Sequence, residues 1–139
     1  MANRDGSRDK KVLWAKTPTA ISTNTTTASN IIDTQGFDKV TFVLVASAYT
    51  DGTYTPAVSE SDDSGMSGEN AVADADLTRT EASAAASAAT TNATDAAGKI
   101  GYVGSKRYVT CDVVSAGTSS GATVGVLAIL ENANVQPVS

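Results

Sequence analysis

The side chains able to carry chemistry are few and scattered. The chain has no histidine and a single cysteine, Cys111, so a serine or cysteine nucleophile lacks its usual base and no internal disulfide can form. The run from Gly98 to Lys106 has the glycines of a phosphate loop but not its order, since a strand pattern rather than a helix follows Gly104-Ser105-Lys106. It reads as a tight turn. The acidic run Glu60-Ser61-Asp62-Asp63-Ser64-Gly65 offers hard oxygen ligands, yet its spacing is not that of a calcium loop, and a solvated loop is expected. Lys106-Arg107-Tyr108 sets two cations beside a ring, which suits stacking on Tyr102 or Tyr108 and a structural ion pair for Arg107. Trp14 is the best stacking platform for a sugar, but its apolar neighbours Val12 and Leu13 predict burial. No catalytic residue, metal or cofactor is expected, and the chain reads as a non-enzyme.

Charge is more informative than chemistry. The net charge of −5 argues against a phosphate-neutralising, nucleic-acid-binding surface. Within the first sixteen residues, however, Arg4, Arg8, Lys10, Lys11 and Lys16 face only Asp5 and Asp9, whereas the remainder carries five basic and thirteen acidic residues. Residues 1–9 therefore read as a flexible basic arm, and Arg4, Arg8, Lys10 and Lys11 are the candidate partner-binding residues. The N-terminal run lacks the apolar core of a secretory signal, and no stretch reaches the length of a membrane span, so neither secretion nor a membrane partner is expected.

The elements that must position these groups are strands. Val40, Phe42, Leu44 and Ala46 alternate with Thr41, Val43 and Val45, and Val124, Val126, Ala128 and Leu130 alternate with Gly125, Leu127 and Ile129. Both segments are apolar on both faces, which predicts a second sheet on one side and a loop, helix or neighbouring subunit on the other. A first strand over 11–16 is expected to stop near Pro18, and an exposed edge strand to follow over 19–27. Asp51-Gly52 predicts a hairpin into 53–59, with Pro56 confining that strand to an edge. Residues 60–76 read as an acidic loop, and the Ala/Ser/Thr-rich segment 78–97 as a short helix or irregular chain. Strands over 99–103, 106–115 and 123–130 close the pattern. On the second of these, Arg107, Val109, Cys111 and Val113 share a face, which predicts a buried, inert thiol. The sum is one all-β domain over 10–139, an antiparallel β-sandwich or jelly-roll-like barrel with a flexible N-terminal arm. Its small aromatic content makes the core thin and favours oligomerisation.

These residues carry a resemblance. The early Lys-rich strand, the stretch Asp33-Thr34-Gln35-Gly36-Phe37-Asp38-Lys39-Val40-Thr41-Phe42, the Asp51-Gly52 turn followed by Tyr54 and Pro56, the acidic loop, and Gly101-Tyr102-Val103-Gly104-Ser105-Lys106-Arg107-Tyr108-Val109 resemble small virion structural proteins of tailed bacteriophages, of the head decoration or cement type. The resemblance implies a homotrimer on the capsid surface, synthesised in the host cytoplasm and bound to the major capsid protein. It transfers no site residue. Other virion parts (tail tube, fibre or head completion) and a carbohydrate-binding sandwich are the alternatives.

Overall fold

The computed structural model describes residues 7–81 and 95–134. Among these, nine strands run in chain order: β1 (Lys11–Ile21), β2 (Thr26–Thr27), β3 (Ile32–Asp33), β4 (Phe37–Ser47), β5 (Thr53–Ser61), β6 (Asn70–Ala71), β7 (Asp95–Tyr102), β8 (Tyr108–Ala116) and β9 (Ala122–Ala133). One sheet, here sheet A, has the order β1-β9-β4-β7; the other, sheet B, has β2-β8-β5-β6, with β3 also paired to β8. All pairings are antiparallel. The first strand pairs with the last and the pairing continues inward to β5 with β6, so the chain is a long hairpin rolled upon itself. That is the strand order of a jelly roll.

Alternation explains why the two sheets stack. Val40, Phe42, Leu44 and Ala46 of β4 and Val124, Val126, Ala128 and Leu130 of β9 are buried, and they meet Tyr54 and Val58 of β5 and Val109, Cys111 and Val113 of β8. Cys111 lies in the middle of this core, and burial pushes its thiol pKa far above the ordinary range. Loop 28–31 seals the gap between β2 and β3 along β8: the Cys111 N–H donates to Ser29 Oγ at 2.9 Å, and the Ser29 N–H donates to Asp112 Oδ1 at 2.8 Å.

Several local expectations need correction. Pro18 does not end β1; the strand continues to Ile21 because it is an edge, and register shifts on either side of Lys16 absorb the proline. Asn30 satisfies part of the irregular edge, its backbone and side-chain nitrogens donating to Ala15 and Trp14 carbonyls at 2.6 and 3.3 Å. Asp51-Gly52 does not close a hairpin, since β4 pairs with β7 and β9 while β5 pairs with β8; the turn carries the chain from one sheet to the other. Pro56 does not make β5 an edge strand, because β6 pairs with Ser59 and Glu60 on the side away from β8; the proline is tolerated because β6 does not reach it. Val58, two residues on, turns its N–H and C=O away from β8 toward Glu81 and Val72, so the missing N–H of Pro56 falls on that same side. The Ala-rich segment is strand at its described C-terminal end, where β7 begins at Asp95, whereas 78–81 are irregular, with Thr78 bonded to Gly101, and 82–94 lie outside the described residues. The 60–76 loop contains the short strand β6 and a 3-10 turn, Asp74–Asp76. Arg107 precedes β8 rather than sharing the Cys111 face; it is exposed and bonds Asp33 in bidentate fashion at 2.7 and 2.8 Å, its guanidinium 4.9 Å from the Tyr108 ring centroid.

Two outcomes follow from this packing. Gly121 has φ +88°, and a Cβ there would sit 2.1 Å from the Ile21 carbonyl oxygen. Gly121→Ala should therefore cost at least about 2 kcal/mol in urea unfolding, strain and clash adding; a variant as stable as wild type would contradict the local geometry. Cys111 should react with a thiol reagent only in denaturant, and rapid labelling under native conditions would contradict its place in the core.

Candidate functional site

Three regions have the concentration of unusual groups that a site requires. The first is the outer face of sheet A. Opposite the buried residues, β4 presents Thr41, Val43 and Val45 and β9 presents Leu127 and Ile129, all half-buried. The edge strand β1 adds Val12 and Trp14, which are 58% and 43% exposed. Register places Val12 beside Ile129 and Trp14 beside Leu127, while β4 sets Thr41 and Val43 on the other flank of the same two residues. A continuous apolar band thus crosses three strands. Charges bound it: Lys99 of β7 is the register partner of Val43, and Glu131 is that of Lys39. The outer face of sheet B has no such band among the described residues, being built on Thr55, Ala57 and Ser59 of β5 and Asp112 and Val114 of β8.

Trp14 corrects a sequence expectation. It is exposed because Leu13 and Ala15 take the inward positions of β1, and alternation turns the indole out. Alternation alone does not choose the face, since Val12 and Trp14 on one side and Leu13 and Ala15 on the other are all apolar.

The second region is one end of the sandwich, where the β4–β5 and β8–β9 connections meet. Asp51 accepts hydrogen bonds from the backbone N–H groups of Ser119, Ser120 and Gly121 at 2.8–3.1 Å and from Ser119 Oγ at 2.6 Å. The Ser119 hydroxyl and these amides hold its carboxyl far below the usual carboxylate range. The Tyr49 hydroxyl donates to the Gly52 carbonyl at 2.5 Å, and the rings of Tyr49 and Tyr54 meet edge-to-face at 6.3 Å. Gly52 has φ +96° with Thr118 Oγ1 packed against it. The Asp51 carboxylate and the amides it gathers are taken up within the chain, so the cluster fixes two connections.

The third region is the acidic loop. Asp63 Oδ1 accepts from the Gly65 and Ser67 N–H groups at 2.8 and 3.3 Å, and Asp62 pairs with Lys106. The Tyr102 hydroxyl donates to Glu60 Oε2 at 2.5 Å and accepts from the Lys106 N–H at 2.9 Å; burial, then the Glu60 carboxylate, push its phenol pKa well up. Among the described residues no three metal-ligating side chains converge. These bonds tie the end of β7 to β5 and shape the loop.

Three of the four basic candidates lie among the described residues. Arg4 lies outside the described residues, and Arg8 is exposed in the turn before β1. Lys10 pairs with Glu131 at 3.0 Å and with Asp9 at 3.7 Å, which raises its pKa chiefly through Glu131. Lys11 begins β1, opposite Leu130. The Asp9 carbonyl accepts from the Ala133 N–H at 3.2 Å, so Lys10 and Lys11 are held beside β9. Of the three regions, only the sheet A face presents unsatisfied binding capacity, and that capacity is for apolar burial. No family model, curated protein or solved structure matches the chain.

The Asp51 cluster yields a pH prediction. Its folded pKa is depressed, so its stabilisation is complete above the unfolded carboxyl pKa of about 3.9 and is lost as pH falls toward the folded value. Thermal melts should show Asp51→Asn less stable than wild type at neutral pH, the gap narrowing below about pH 4; an equal gap at all pH values would contradict the ionised role.

Proposed function

We propose that the chain is a non-enzymatic virion structural protein that decorates a bacteriophage capsid and stabilises it by binding the major capsid protein. The observation that carries this reading is the open apolar face of sheet A. An antiparallel sheet with one solvated face ordinarily alternates apolar and polar residues, and a contiguous exposed apolar band marks a surface that another protein covers. A role in assembly accounts for it. The resemblance of the 33–42 and 101–109 segments to head decoration proteins supports the capsid among possible assemblies. The strand order supports it by analogy alone, since jelly rolls serve capsid and lectin domains alike.

On this reading Arg4, Arg8, Lys10 and Lys11 steer attachment to the capsid. Lys10 contributes less because Glu131 already neutralises it. One observation favours a second reading: the exposed Trp14 is a stacking platform of the kind a carbohydrate-binding sandwich uses. Its row neighbours Leu127 and Val43 are aliphatic, however, and a sugar site needs polar groups to fix hydroxyl positions.

Cryo-electron microscopy of virions carrying a tagged chain should place the tag on the outer shell, and a tag on the tail, or absent from the virion, would overturn the assignment. In co-sedimentation with purified capsids, Arg4→Ala/Arg8→Ala should bind more weakly and with a shallower salt dependence. Unchanged binding across a salt titration would remove those residues from attachment.

A further inference from the structure

We infer that the outer face of sheet A is covered by the same face of a second copy of this chain, about a two-fold axis that lies in the interface and runs parallel to the strands between β9 and β4, in place of the homotrimer that the resemblance implies. The inference rests on reading that face as an assembly surface, and it names the occupant.

The register carries the argument. Trp14, Leu127, Val43 and Lys99 stand side by side across β1, β9, β4 and β7; Ile129 and Thr41 are central in the adjoining row, and Glu131 and Lys39 in the row beyond. The stated axis lays β1 of one copy over β7 of the other and β9 over β4. Each row then meets its complement. Trp14 covers the second copy's Lys99, a cation over an indole face; Leu127 covers Val43; Ile129 covers the methyl of Thr41; and Glu131 covers Lys39. Because the contact is isologous, every pair forms twice. Lys10, already 3.0 Å from Glu131, joins the outermost pair as a second cation on one carboxylate.

Other arrangements fit less well. A two-fold axis running across the strands would set β7 on β7 and bring Lys99 against its own copy. Sheet B lacks the apolar band altogether among the described residues. The area is modest: the three rows, on four strands, cover roughly 400 Å2 per copy at standard strand spacing, and the total of about 800 Å2 is that of a weak, transient contact. A reversible dimer is therefore expected rather than an obligate one, and closure about the two-fold leaves no free face for open-ended growth.

Charge exchange tests this directly. Sedimentation velocity of the full chain should show a concentration-dependent species of twice the 14.0 kDa chain mass. Lys39→Glu and Glu131→Lys should each stay monomeric, since each self-pairing opposes like charges twice. An equimolar mixture should recover the dimer: the carboxylate introduced at position 39 of one variant then meets the ammonium introduced at position 131 of the other, and the unchanged Glu131 of the first meets the unchanged Lys39 of the second. Recovery in the mixture also shows that both variants are folded. A wild-type chain that remains monomeric, a three-fold species, or a mixture that stays monomeric while circular dichroism reports folded strands would overturn the inference. None of these outcomes touches capsid attachment, which the tagged virions report separately.

Discussion

The pairing of the first long strand with the last holds the molecule together. β9 lies between β1 and β4 in sheet A, bonded to both along most of its length, and among the described residues no other strand joins β1 to that sheet. Until Val124, Val126, Ala128 and Leu130 are in place, Ala15 and Leu13 have no inner neighbours and Phe42 and Leu44 have lost one flank. The contact is also the most distant in sequence. Its loop-closure entropy must be met before the core rewards it, so a rolled hairpin of this kind folds late and cooperatively.

A central strand in a sandwich need be apolar on one side only. In β9 both sides are apolar, and so are those of β4 and of residues 12–15 of the edge strand β1, although sheet B, of the same fold and similar size, keeps a mostly polar outer surface among the described residues. Core packing cannot be the cause of this asymmetry. The polar clusters at the two ends perform the structural work that loops require: Asp51 gathers the 119–121 amides, and Tyr102, Glu60 and Lys106 bind β7 to the acidic loop. With those groups satisfied internally, the outer face of sheet A remains as the part of the surface whose composition calls for a partner.

The sequence discloses the strands well and their partners poorly. Alternation in 40–46, 109–113 and 124–130 is enough to assign strand, core face and the buried Cys111, because the two-residue period is a local property. Two-sided apolarity likewise discloses that the outer face of sheet A is apolar. Pairing is not local, and Asp51-Gly52 illustrates the consequence: a turn dipeptide specifies a reversal but not whether the next strand returns to the same sheet. Pro18 misleads for a related reason, since proline stops a central strand but is tolerated on an edge, and edge status depends on the distant β9. The exposure of Trp14 and the rows that combine Lys99 with Val43 and Glu131 with Lys39 emerge only from the register. The C-terminal end of 78–97 is strand where composition favours helix, because pairing of β7 with β4 overrides alanine propensity.

Trp14 is the chain's single tryptophan and stands at the edge of the apolar band. Its fluorescence therefore reports on that face with no background from the core. The account predicts that the emission is water-exposed in dilute solution, then shifts to the blue and loses accessibility to iodide as the protein assembles. Assembly that leaves both the emission maximum and the quenching constant unchanged would contradict the claim that the sheet A face is the surface through which this protein associates.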